Sequence, residues 1–228
     1  FVFVGNFKPD QIKPMIETYL GGLPSSGRKE NWKDLGIRPP TGVIDKAVRK
    51  GVEEKGQVRI VLTGPFDWNR KNRLDMRAMM DVLDIRLRES LREDKGGVYS
   101  PAAFGSASHF PQPTYSINIL YGCDPKRADE LVAATLQAMK QLKANGPSAD
   151  DLQKVKEMTL RERETSLKEN RYWLGTLQFY YLNHEDPMQI IRDEQMIKDI
   201  SHDDVKRAAN QYFNMNNRIT VVMYPETM

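Results

Sequence analysis

One cysteine, Cys123, stands among 228 residues, so no disulfide can form within the chain. That fits a reducing compartment, and it leaves an envelope space open to a fold that needs no covalent staple. Cys123 is expected to pack at a strand end. Histidine is almost as scarce: His109, His184 and His202 are widely separated, and none has a partner at metal-ligand spacing. No apolar run approaches the ~18 residues of a membrane-spanning helix, and no basic stretch leads into an apolar core as in a secretory leader. An excess of one charge is also lacking. Lys plus Arg total 34, Asp plus Glu 31, and the signs are interspersed, which disfavours a nucleic-acid or anionic-membrane surface. The Arg70-Lys71-Asn72-Arg73 cluster reads as a solvated helix start.

What is present is the composition of a globular protein: 39% hydrophobic and 29% charged residues, enough to bury a sizeable core in one large or two small domains. Phe1-Val2-Phe3-Val4 reads as a strand already under way, and we expect a longer protein around it. A helix beginning near Pro9 and closed by Gly21-Gly22 follows, with Ile12, Met15, Ile16, Tyr19 and Leu20 on its apolar face. Residues 1–23 are thus expected to close a preceding element. The Pro-, Gly- and Ser-rich stretch 24–42 is expected to be a linker, with Trp32 as a packing plug.

Residues 43–228 are expected to form an α/β domain. Val43–Lys50 and Gln57–Pro65 alternate apolar and polar residues around a turn, as two strands of a hairpin would. A helix carries the stripe Met76, Met79, Met80, Leu83, Leu87 and Leu91, three and four residues apart, where methionine fills core rather than binding metal. Strands are expected over Val98–Gly105 and around Tyr115, Ile117, Ile119 and Tyr121, with Ser116 and Asn118 on the opposite face. Asp124-Pro125 opens the next helix, which stops at Asn145-Gly146-Pro147. Ser148 and Asp151 form a capping box for a charged helix running to about Asn170 with a narrow partner face. The aromatic segment Tyr172–Leu182 is expected in the core. A Ser201-capped helix and the strand Ile219–Tyr224 end the order. The fold class this gives is α+β, a mainly antiparallel sheet covered on one face by helices.

Within this order, Leu91-Arg92-Glu93-Asp94-Lys95-Gly96-Gly97-Val98-Tyr99-Ser100 is the segment with chemical potential. Arg92 falls on the last helical turn, Gly96 and Gly97 permit the reversal, and Tyr99 lies on the returning strand, so that two donors can meet one acceptor. The same spacing also describes an ordinary helix C-terminus, with Arg92 and Lys95 complementing the macrodipole.

Val2-Phe3-Val4-Gly5-Asn6-Phe7 before a helix and Leu23-Pro24, the Arg92 to Tyr99 segment, Asp124-Pro125, and Gly146-Pro147-Ser148-Ala149-Asp150-Asp151-Leu152 occur here in one order and spacing. Together they resemble the second half of an insulinase/pitrilysin-type zinc peptidase, the family that includes the mitochondrial processing peptidases. The resemblance implies homologous α/β repeats that close like a clamshell around a peptide. It implies zinc in the opposite half, held by an inverted His-x-x-Glu-His motif and a distant Glu, and none in this chain. Here the motif is absent. His184-Glu185-Asp186-Pro187-Met188 begins like it, but Met188 takes the second histidine's place and Pro187 breaks the turn, so a helix–helix corner is expected.

The resemblance further assigns Tyr99 as the catalytic donor to the oxyanion, Arg92 as the group holding a neighbouring substrate carbonyl, and Gly96 and Gly97 as close backbone. The expected partners are a peptide or unfolded protein substrate and a zinc-bearing N-terminal half, fused or separate. Periplasmic and cytoplasmic residence both remain open. Two other readings stand beside this one: a non-catalytic structural subunit of the same fold, and a peptide-binding module that adds a strand to the sheet.

Overall fold

The structure, a computed structural model, describes residues 1–94 and 98–226, and the side chains of residues 92–94, 99 and 100 lie outside that description. Contacts group the chain into two units, Phe1–Lys33 with Arg161–Arg192, and Asp34–Leu160 with Asp193–Met228.

The second unit holds the sheet. Its strands are β1 (Val43–Arg49), β2 (Gly56–Pro65), β3 (Val98–Ser108), β4 (Thr114–Cys123) and β5 (Arg218–Tyr224), in spatial order β1-β5-β2-β4-β3. All neighbours are antiparallel except β1 and β5, which run parallel. The expected hairpin of the first two strands therefore does not form, because β5 is inserted between them. Its apolar alternation satisfies a neighbour on both sides, and β1 is left as a largely exposed edge.

One face of the sheet is apolar by strict alternation. Val58, Ile60 and Leu62 of β2 and Tyr115, Ile117, Ile119 and Tyr121 of β4 are all nearly inaccessible. They pack beneath α2 (Arg70–Leu87), α3 (Ala128–Asn145) and α7 (His202–Tyr212). Each such side chain contributes about 1.5–3 kcal/mol of burial. The α2 stripe behaves as its spacing requires, with Met76, Met79, Met80, Leu83 and Leu87 buried and Leu91 continuing it. Gly105 lies close under this helix, where a Cβ would stand 3.0 Å from Met80 Cγ and oblige that side chain to shift. Cys123 ends β4 as expected, 1% exposed, and burial pushes its thiol up to about 11.

Polar groups join the helices. The Asp75 carboxylate, only 3% exposed, accepts from Lys71 Nζ at 3.0 Å on its own helix and from Arg207 Nη2 at 2.7 Å on α7. Arg70 pairs with Asp193 and the Arg73 guanidinium lies 4.4 Å from the Trp68 ring centre. The Arg70–Arg73 cluster is thus a knot of ion pairs and ring contacts rather than a solvated helix start, because acidic partners arrive from distant helices. Burial pushes the Asp204 carboxyl up, but hydrogen bonds from Lys71, Ser201 and Arg207 outweigh it and hold the group well below the usual range.

The first unit contains α1 (Pro9–Tyr19) and α5 (Asn170–Leu182), and α4 (Ala149–Ser166) runs from the second unit into it. Ser148 and Asp151 cap α4 reciprocally, as expected, with Asp151 N–H donating to Ser148 Oγ at 3.0 Å. Only Asp151, Val155 and Thr159 of α4 are buried, and the helix ends four residues before Asn170. Three expectations fail here. Phe1–Val4 is not a strand, since no strand of the described residues pairs with it. Trp32 is 58% exposed, because 24–42 carries no helix or strand to hold it on a core face. In α5 only Tyr180 is buried, since Tyr172, Trp173, Phe179, Tyr180 and Tyr181 ring the helix and cannot share one face.

His202 opens α7 in a capping arrangement with Ser201 and Asp204. Its Nδ1 lies 3.0 Å from Asp203 Oδ1 and its Nε2 2.9 Å from the Asn145 carbonyl oxygen. Both partners are acceptors, so both ring nitrogens donate only in the imidazolium, and Asp203 first, then the Asn145 carbonyl, raise its pKa above the usual 6.5. The stabilisation is complete below the unfolded pKa and is lost as pH rises through the folded value. Proton titration by NMR is expected to give His202 a pKa above 6.5, and His202→Gln to flatten the dependence of melting temperature on pH across that range.

Candidate functional site

The Arg92 to Tyr99 segment lies at one edge of the sheet. After Leu87 the α-helix continues as a π-helical turn, Arg88–Asp94, with Leu91 fully buried beneath it. Such widened turns recur at functional sites. Strand β3 then returns as the sheet's edge strand, Val98 opposite Cys123 and Tyr99 opposite Gly122.

Between Tyr99 and Ala102 the register slips: three residue steps on β3 oppose two on β4, from Gly122 to Leu120. The extra residue is a β-bulge, and Pro101 within it has no N–H to donate, which an edge strand tolerates. Its consequence concerns Tyr99. In an unbroken strand Tyr99 would share the register row of Ala103 and Gly105, which faces the helices. The bulge moves it to the row of Gly122, Leu120 and Asn118 on the sheet's other side.

Arg92 and Tyr99 thus sit on two arms, near the end of the π-helical turn and at the start of the edge strand. Their side chains, and Gly96 and Gly97 entirely, lie outside the described residues. One side chain joins the two arms. Asp84 of α2 accepts from Arg88 Nε at 2.7 Å and from the Ala103 backbone N–H at 3.0 Å.

The helix-free face of the sheet is mixed. Phe104 and Leu120 are half-exposed on it, and Arg59 Nη2 donates to Asn118 Oδ1 at 2.8 Å, which passes a hydrogen bond from Nδ2 to Ser116 Oγ at 3.0 Å. At the end of β3 and β4 remote from Tyr99 this face opens into a cleft of about 480 Å³ lined by Thr63, Ser106, Ser108, Ser116, Asn217 and Arg38, among others. Asn217 fixes its wall by donating to the Thr63 carbonyl at 2.7 Å and accepting from Gly42 N–H at 2.9 Å. Sequence reasoning missed this cleft, although Ser and Thr at alternate positions of β3 and β4 were its signal.

The histidines do not converge. His109 is a loop side chain, its ring 4.6 Å from that of Trp68, His184 follows α5 with φ 56°, and His202 is the first residue of α7 already described. Among the described residues no group of three or more His, Cys, Asp or Glu side chains is arranged to hold a metal ion. No helix of the described residues is long and apolar enough to cross a membrane.

The domain is thus a one-sided helix layer on a mainly antiparallel sheet, with a bulged edge strand after a widened helical turn. Residues 1–159 match the family described as the peptidase M16 inactive domain, and the chain belongs to that family, the non-zinc domain of M16 zinc-protease-like proteins. It is similar to the zinc protease PQQL-like protein of Arabidopsis thaliana, 27% identical over 191 residues covering 77% of this chain and 20% of that one. It is similar also to the probable zinc protease PqqL of Escherichia coli strain K12, 26% identical over 234 residues, 99% of this chain and 24% of that one. The chain thus spans about a fifth to a quarter of the length of these relatives. The crystal structure of the periplasmic protease PqqL from Escherichia coli shares the fold with a TM-score of 0.82 at 23% identity, over 97% of this chain and 24% of that one.

Proposed function

We propose that this chain is the substrate-binding, non-zinc part of a zinc metalloendopeptidase that hydrolyses peptide bonds. The observation that carries the reading is the β-bulge of β3, which takes Tyr99 out of the helix-facing register row, in a domain whose relatives are named zinc proteases. Zinc, when bound by the zinc-bearing half, supplies Lewis-acid chemistry at the scissile carbonyl.

The roles of this chain's residues follow from charge. Addition to a peptide carbonyl places a negative charge on its oxygen, and the Tyr99 phenol donates a hydrogen bond to it, most strongly when the charge has developed. Arg92, permanently protonated and forked, grips a neighbouring carbonyl of the substrate and holds the chain in register. Gly96 and Gly97 let the backbone come close. The substrate is a peptide or an unfolded protein segment, since only an extended chain presents successive carbonyls to two such donors.

Arginine and tyrosine are thereby given separable duties. In the complete protein, Arg92→Ala is expected to raise KM for a fluorogenic peptide about 10-fold and to lower kcat as well, because register is lost in both ground and transition states. Steady-state kinetics at a fixed zinc content check this, and unchanged constants would overturn the role given to Arg92.

A further inference from the structure

We propose that Asp84 is a positioning residue for Tyr99, holding in place the β3 bulge that sets its register, an inference that rests on the role just given to Tyr99. The Asp84 carboxylate is three-quarters buried and uses both oxygens. Oδ2 takes the Arg88 Nε proton at 2.7 Å, and Oδ1 takes the Ala103 backbone N–H at 3.0 Å. Arg88 is the first residue of the π-helical turn, and Ala103 follows the bulge of β3 by a single residue. The fourteen-residue segment between them carries both candidate donors, and one side chain closes its base.

The physical need for such a tie is specific. An edge strand has β4 on one side only, and the bulge interrupts even that ladder between Tyr99 and Ala102. Pro101 adds no hydrogen bond of its own. Without an anchor just past it, the extra residue could migrate along β3, and a shift that carried it to the N-terminal side of Tyr99 would return Tyr99 to the helix-facing row. The charge-assisted bond to Ala103 pins the bulge in place. Asp84 touches no substrate in this scheme and acts through Tyr99.

The test is a double-mutant cycle in the complete protein, with hydrogen exchange as a readout besides activity. Asp84→Ala is expected to lower kcat about 10-fold to 100-fold with KM little changed, as a displaced donor does. Exchange in residues 98–103 is expected to accelerate in the same variant. Asp84→Asn, which retains an oxygen for the Ala103 amide, is expected to recover much of the loss. Arg88→Gln, at an exposed side chain, weakens the other bond without touching the strand and serves if Asp84→Ala does not fold. Added to Tyr99→Phe, Asp84→Ala is expected to cost nothing more in kcat. Losses that multiply in the double variant, or a folded Asp84→Ala protein with unchanged kcat and exchange, would overturn the positioning role. A Tyr99→Phe protein with full turnover would instead remove the reading of Tyr99 on which it rests, and the single variant reports that separately.

Discussion

Tyr99→Phe in the complete protein is expected to lower kcat for peptide hydrolysis by about a hundredfold or more while leaving KM near its original value. The size follows from what is removed. A preorganised donor aimed at a developing oxyanion contributes on the order of 3 kcal/mol, because the charge it meets exists in the transition state and not in the bound substrate. The replacement deletes one hydroxyl and keeps the ring, so a folding defect cannot mimic the result, and an unchanged melting temperature should accompany the slow enzyme. The contrast with Arg92→Ala is informative, since a group that holds ground-state carbonyls must show itself in KM. A Tyr99→Phe enzyme of normal turnover would leave this domain as a structural or peptide-binding partner.

The second large effect concerns stability. Simultaneous replacement of Lys71 and Arg207 by methionine is expected to destabilise the fold by about 3 kcal/mol, because it strands the Asp75 carboxylate between α2 and α7. The asymmetry is the point. Asp75 is 3% exposed, whereas both cations are 52% exposed and can turn to water when their partner is lost. Asp75→Asn should therefore cost much less than the double replacement, although it removes the charge at the centre of the same cluster. Urea denaturation of the three proteins checks the order, and equal losses in Asp75→Asn and the double variant would refute it.

How far the sequence discloses this molecule depends on the range of the interaction concerned. The α2 stripe, the alternation of Tyr115 to Tyr121, the Asp124 and Ser201 caps and the Ser148–Asp151 capping box are local, and each is readable because its cause lies within a few residues. The insertion of β5 between β1 and β2 is not, since alternation reports that a strand has two faces and says nothing of which strands flank it. The exposed aromatics of α5 show the same limit from the other side: composition suggested a core, but residues that ring a helix have no common direction.

The candidate site divides similarly. Arg92, Tyr99, Gly96 and Gly97 were singled out by resemblance, since their spacing by itself also describes a helix end. The bulge left a trace in Pro101, which cannot join a ladder, but its effect on Tyr99 needed the register against β4. Asp84 left none, because an aspartate four residues before an arginine on a helix reads as a surface ion pair.

The position of β5 bears on how the chain reaches its native state. The strand that joins β1 to β2 is the last of the sheet's five in sequence, and it meets β1 in a ladder that begins with Val43 opposite Arg218. Until it pairs, β1 and β2 each present an unsatisfied edge, a template for adhesion between copies. Closure of so long a loop is entropically slow. The helices and the β3–β4 hairpin can assemble early, whereas the sheet becomes continuous only in a final zippering step, and chaperones that shield exposed strands would act during that interval.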